Sequence, residues 1–131
     1  MTLSLEILKP DGPVVQADAL AVRAVDATGS FGLLPNHEDF CSALVPSILV
    51  YREVGGAERY VAIDGGVLVL EDGQASVVTR DAVLSDDIDR VSEAVESMLR
   101  IRSEQEQEAS KTFSKLVAEL LEQLPQLEAR R

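Results

Sequence analysis

LSDDIDRVSEAVESML, residues 84–99, is where the hydrophobic period of the chain changes. Ile88, Val91, Val95 and Met98 recur at helical spacing. Ser85, Asp86 and Asp87 stand just before them, where their oxygens can accept orphan amide protons and their charge suits the positive end of a helix dipole. A second helical face follows in Phe113, Leu116, Val117, Leu120, Leu121, Leu124 and Leu127, with Pro125 placed to end or distort its last turn. Between the two faces lies RSEQEQEASK, residues 102–111, which has almost nothing apolar to bury. It reads as a loop folding two helices into an antiparallel hairpin. It also reads as helix, because Glu, Gln and Ala have good helical propensity, and then the whole segment is one long rod. The hairpin is the expected form, since each helix then covers its stripe with the other.

Upstream of residue 85 the period is two. LSLEIL, residues 3–8, sets Leu3, Leu5 and Ile7 against polar neighbours, and KPDGP turns the chain. VVQADALAVRAVDA, residues 14–27, alternates over a longer run. SILVYREV runs into Gly55-Gly56 and is followed by ERYVAIDG, a hairpin signal; GVLVLEDGQASVVT, residues 66–79, repeats it around Asp72-Gly73. Strand-like runs at intervals of roughly 8 to 12 residues are the spacing of an antiparallel sandwich or barrel. The expected organisation is therefore a β-sandwich over residues 1–85 and a helical domain over residues 86–131.

Composition narrows the function. The chain has 131 residues and a formal net charge of −11, with 12 acids and 5 bases in residues 1–85 and 11 and 7 in the rest. Nucleic acid needs clustered Lys and Arg to displace counterions, and anionic lipid needs the same, so neither is an expected partner. Basic protein partners remain suitable. Aromatic residues are 4% and Trp is absent, so the core must be aliphatic. One cysteine, Cys41, excludes an internal disulfide and multi-cysteine zinc motifs. The N-terminus has no basic start and carries Glu6 in its apolar run, unlike a secretory signal, and no run nears the ~18 apolar residues of a membrane span.

The richest stretch for chemistry is GSFGLLPNHEDF, residues 29–40. His37 and Cys41 could pair as base and nucleophile, but only on a helix, against which Gly32 and Pro35 argue; no second His completes a relay. His37, Glu38, Asp39 and Cys41 are candidate metal ligands, yet neighbours on an extended chain point to opposite faces. No Lys follows the glycines, so the stretch is a poor phosphate loop. The plain reading is a shaped loop: glycines at positive φ, Pro35 stiffening the turn, His37 hydrogen-bonded to backbone. No catalytic residue, metal or cofactor is expected.

Gly29-x-x-Gly32, the apolar pair Leu33-Leu34, Pro35-x-His37 and then Leu44-x-Pro46 resemble the epsilon subunit of bacterial F-type ATP synthase. YVAIDGGVLVLEDGQASVVT is similar to that family's later strand pair, and IDRVSEAVESML sits where its C-terminal helices begin. The resemblance covers nearly the whole chain in order. It implies a sandwich of about ten strands followed by a two-helix hairpin. It implies a rotor subunit of the central stalk, not an enzyme by itself, peripheral on the cytoplasmic side of the inner membrane. Its partners would be the gamma subunit, the ring of c subunits and, when the helices extend, the catalytic beta subunits, with ATP hydrolysis restrained in that state. By the same resemblance Ser30, Phe31, Gly32, Pro35, Asn36 and His37 are c-ring contact candidates, Phe31 reading equally as an apolar anchor or as a core residue.

The departures carry expectations too. Asn36 stands where the family commonly has Gly, and Asn tolerates left-handed geometry, so the turn should survive. Asp39 and Phe40 replace an apolar pair, and Ser47 replaces a usual Gly. Family members that bind ATP carry Arg where this chain has Ser92, although Ile88 and Asp89 remain; Arg100, Arg102, Arg130 and Arg131 are not at matching places. A triphosphate needs concentrated positive charge, so no ATP binding is expected. The atypical C-terminal half suits a second, divergent F-type ATPase. A free-standing sandwich adaptor with a coiled-coil tail is the alternative reading.

Overall fold

Alternation is realised residue by residue in the first strand, β1 (Leu3–Lys9), where Leu3, Leu5 and Ile7 are buried. A computed structural model describes residues 1–129, with side chains through residue 122. Six more strands follow: β2 (Gly12–Asp26), β3 (Gly29–Leu33), β4 (Phe40–Glu53), β5 (Glu58–Glu71), β6 (Gln74–Val78) and β7 (Ala82–Ser85). One helix, α1 (Ile88–Ala129), completes the elements. The chain divides into two compact units, Met1–Leu99 and Arg100–Arg131.

In the first unit the strands run β1-β6-β5-β4-β2-β3, and β1 also pairs with β2, so five of them close on themselves. All pairings are antiparallel except β1 with β6. Closure is achieved by long strands that change partners. The N-terminal half of β2 pairs with β1, and its C-terminal half with β4 and β3. Residues 60–63 of β5 pair with β7, while residues 67–71 pair with β6. The change in β5 falls at Gly65-Gly66, with φ of 70° and 132°, next to Asp64, which pairs with Pro46 of β4. A strand that must bend there without ending needs residues with no Cβ on one side and no N–H to satisfy on the other.

This corrects the strand count. Among the described residues there are seven strands where the resemblance implied about ten; β4 and β5, with 14 residues each, run on through bends at Pro46 and Gly65-Gly66 that the sequence reading took for breaks, and β2 is one strand of 15 residues. The hairpin turns were placed correctly. Gly56 has φ 94°, and its N–H donates to the Glu53 carbonyl at 2.8 Å. Asp72 and Gly73 both have positive φ, the type I′ pattern of a two-residue hairpin loop.

The barrel interior holds one aliphatic cluster, including Leu3, Leu5, Leu33, Leu49, Ile63 and Leu68. Burying each such side chain contributes about 1.5–3 kcal/mol, set against roughly 1–2 kcal/mol of backbone entropy per ordered residue. A second, smaller cluster lies on the outside of β4 and β5. There Val91 and Met98 of α1 pack with Ala62, and Ile48, Tyr60, Ala94 and Val95 border them. Of the stripe read from the sequence, Ile88 stays half exposed. Asp87 caps the helix: its Oδ1 accepts the Asp89 N–H at 3.0 Å and its carbonyl accepts the Val91 N–H at 3.3 Å. Ser85 Oγ in turn accepts the Asp87 N–H at 3.0 Å.

The expected two-helix hairpin is not formed. Residues 88–129 are one helix, and residues 102–111 belong to it. The physical reason is in that segment, which has no Gly or Pro and is built of good helix formers, so nothing stops propagation. Pro125 lies inside the helix and does not end it. Within the second unit Phe113, Leu116, Leu120 and Leu121 are exposed. The side chains of Leu124 and Leu127, and Arg130 and Arg131 altogether, lie outside the described residues.

Candidate functional site

The loop between β3 and β4 is built on a single tight turn. The His37 N–H donates to the Leu34 carbonyl at 3.1 Å, with Pro35 and Asn36 between them. Proline fixes the first central φ, and Asn36 takes φ 70° at the second. This is the type II pattern, in which the second central residue must be left-handed. The expectation that Asn36 could serve in place of Gly is met. Of the two glycines ahead of it, Gly29 has φ 126°, whereas Gly32 has an ordinary strand φ.

Further contacts brace this end of the barrel. The Phe31 and Phe40 rings meet edge to face at 5.2 Å, and the His37 ring meets Phe40 at 5.8 Å. His37 Nδ1 donates to the Glu38 carbonyl at 2.7 Å, as expected of a loop histidine. Asp39 Oδ1 accepts the Asp72 N–H at 3.1 Å, tying the loop to the β5–β6 turn. Asp26, the last residue of β2, accepts the Thr28 N–H at 2.8 Å and the Thr28 hydroxyl on Oδ1, and the Ser42 hydroxyl at 2.7 Å on Oδ2. Hydrogen bonds from Thr28 first, then from Ser42, hold the Asp26 carboxyl below its ordinary value.

The six contact candidates therefore sit together on β3 and the loop after it. Ser30, Gly32, Asn36 and His37 are exposed; Phe31 and Pro35 are half buried. Phe31 is partly buried and packs against the main core. Around them Glu38, Asp39, Glu71 and Asp72 supply negative charge, with Arg23 of β2 paired opposite Gly32. Cys41 is exposed at the start of β4. Among the described residues no group of three His, Cys, Asp or Glu side chains could hold a metal ion. At the helix start the Asp89 side chain is exposed and Ser92 is half buried. The reading of the sequence missed Asp26, Thr28 and Ser42. The Asp-x-Thr-Gly of residues 26–29 was their signal, since Asp two residues before an amide is a familiar turn partner.

The two halves of β5 face different surroundings. Its N-terminal half turns Tyr60 and Ala62 toward α1. Its C-terminal half leaves Val67 and Val69 exposed, at 47% and 40%. Register extends that patch into a row across four strands, Ala43, Val67, Val78 and Leu8, with Val78 57% exposed.

Residues 2–85, the strands just described, match the family model for the ATP synthase delta/epsilon chain, beta-sandwich domain. The chain belongs to the ATP synthase epsilon-chain family. An ATP synthase epsilon chain 2 of Paraburkholderia xenovorans is 36% identical over 98 residues, covering 73% of this chain and 70% of that one. An ATP synthase epsilon chain of an Anaeromyxobacter species is 40% identical over 89 residues, covering 68% and 67%. Among solved structures, a chain of the Euglena gracilis mitochondrial ATP synthase, in an assembly with F1 and the c-ring, superposes with a TM-score of 0.61 at 26% identity. That match covers 73% of this chain and 62% of the Euglena chain. Epsilon-chain membership makes this protein a subunit of an enzyme complex, and no described helix is long and apolar enough to cross a membrane.

Proposed function

We propose that this epsilon chain is a non-catalytic rotor subunit that couples the gamma subunit to the c ring, peripheral to the cytoplasmic face of a bacterial inner membrane. The observation that carries the reading is the bare apolar row on β4, β5, β6 and β1. The first turns of α1 cover the outside of the N-terminal half of β5, whereas the row on its C-terminal half stays bare and is open to a large partner. Exposed apolar area of this kind marks a protein interface. Gamma takes this face. The c ring takes the braced end with Ser30, Phe31, Gly32, Pro35, Asn36 and His37, where a turn already ordered loses little entropy on contact and the acidic surround suits basic loops.

Reconstitution tests this directly. Full-length protein is expected to co-purify with gamma and the c ring, and Val78→Glu to abolish gamma binding while leaving the melting temperature unchanged. A chain that binds neither partner overturns the proposal. The exposed stripe of Phe113, Leu116, Leu120 and Leu121 supports a second role, in which the helix reaches the catalytic beta subunits and restrains ATP hydrolysis. Deleting residues 100–131 should then raise the hydrolysis rate of the complex. The same stripe favours the adaptor alternative, which failure to bind gamma would leave standing. Nucleotide is not a ligand in this proposal: Ser92 removes the arginine that ATP-binding relatives carry, and calorimetric titration with ATP should register no heat at micromolar concentrations. The divergent C-terminal half continues to suit a second ATPase.

A further inference from the structure

The turn between β2 and β3 is closed by the paired residues Asp26 and Gly29, and its side-chain hydrogen bonds all go to one carboxylate. The two turn residues, Ala27 and Thr28, are exposed, so no apolar burial fixes their position. Asp26 collects three donors from two segments: the amide and hydroxyl of Thr28 in the turn, and the hydroxyl of Ser42 on β4. Ser42 lies two residues beyond Phe40, whose ring carries both Phe31 of β3 and His37 of the loop. Fixing Ser42 to Asp26 thus fixes the ring platform relative to the turn. Bonds to an ionised acceptor are shorter and stronger than neutral ones, which suits a brace at the surface.

We propose that Asp26, acting with Ser42, is a positioning residue that holds the Ser30–His37 contact surface in its binding geometry without touching the partner. The proposal rests on the reading of that surface as the c-ring contact. An asparagine can reproduce the brace. Its amide oxygen accepts from Thr28, and its amide nitrogen donates to the Ser42 oxygen once that hydroxyl turns. Alanine reproduces none of it.

The test uses the assembled complex in ion-tight vesicles, reading ions pumped per ATP hydrolysed, together with the affinity of the full chain for the detergent-solubilised c ring. Asp26→Ala is expected to weaken ring binding about tenfold and to lower the pumping ratio, with gamma binding retained. Asp26→Asn should stay within about twofold of wild type, a rescue that follows from the shared bonding pattern. Ser42→Ala, which removes one bond and leaves the turn's own, should fall between them, and it carries the same expectation if Asp26→Ala does not fold. Wild-type ring affinity in Asp26→Ala, beside loss in Phe31→Ala and His37→Ala, would overturn the brace and leave the contact surface standing. Equal loss in the Asn and Ala variants would overturn it as well, making the charge rather than the bonding the cause. Unchanged affinity in Phe31→Ala and His37→Ala would remove the contact reading and the brace with it.

Discussion

A methyl group added at Gly66 has no room. Its Cβ would fall 2.1 Å from the Val78 carbonyl oxygen and 3.1 Å from the carbonyl carbon, both backbone, and φ is 132°. Backbone cannot swing aside as a side chain does, and strain adds to the clash. Gly66→Ala is therefore expected to destabilise the fold by about 2–5 kcal/mol, read as a lower urea midpoint. Gly55, with open space around it and no positive φ, should tolerate alanine within about 0.5 kcal/mol. At the same scale Asp26 gives a pH signature. Its folded-state carboxyl is depressed by the Thr28 and Ser42 hydrogen bonds, so the stability it contributes is present above its unfolded value and is lost as pH falls through the folded one. The gap in urea midpoint between wild type and Asp26→Ala should hold steady from pH 7 to about 5 and close below about pH 4. A gap that widens on acidification would contradict that assignment.

At the scale of the element, the cap of α1 is the sharpest case. The Asp87 carboxylate meets the Asp89 N–H, so Asp87→Ala should cost about 1 kcal/mol in unfolding free energy. Asp86, whose carboxylate sits 3.7 Å from Arg59 and is 79% exposed, should cost almost nothing. Much of this level was legible beforehand. Leu3, Leu5 and Ile7 announced β1 by alternation, Asp72-Gly73 announced its hairpin by turn chemistry, and Ser85 to Asp87 announced the helix start by capping. Each of those signals is local. What stayed hidden depends on distant partners. That β5 bends at Gly65-Gly66 without ending follows from Pro46 and Val78 lying across from it, which one strand's own pattern does not contain. The helix through residues 102–111 was missed for a related reason: its propensity permits helix, and the fold-back expected instead needed a partner for the stripe of Phe113 and Leu116. The loop candidates were located from the resemblance, whereas the brace beneath them joins Asp26 to Ser42 across 16 positions, a span no turn rule covers.

For the whole molecule the question is where the folding unit ends. The family match stops at residue 85, yet the compact first unit continues to Leu99. The difference is the first part of α1, whose Val91 is fully buried and whose Met98 is nearly so against Ala62. Cutting after Ser85 removes both and uncovers Ile48, Tyr60 and Ala62 on the outside of the sheet. Cutting after Leu99 keeps every contact of that cluster and removes only residues whose described apolar side chains, such as Phe113 and Leu120, are exposed in any case. Fragment 1–99 should therefore unfold in one cooperative step within about 0.5 kcal/mol of the full chain, since surface deletions far from packed groups change little. Fragment 1–85 should still fold, because the main core lies wholly within it, but at a stability lower by about 3–6 kcal/mol, the transfer free energy of one valine and one methionine side chain. Both fragments keep Ala43, Val67 and Val78, so both should bind gamma equally well under the proposed function. Urea unfolding followed by circular dichroism, with a gamma pull-down on the same samples, separates the outcomes. An unfolded 1–85 fragment would place the helix inside the obligatory core, and a 1–99 fragment as unstable as 1–85 would mean that the distal helix carries packing energy of its own.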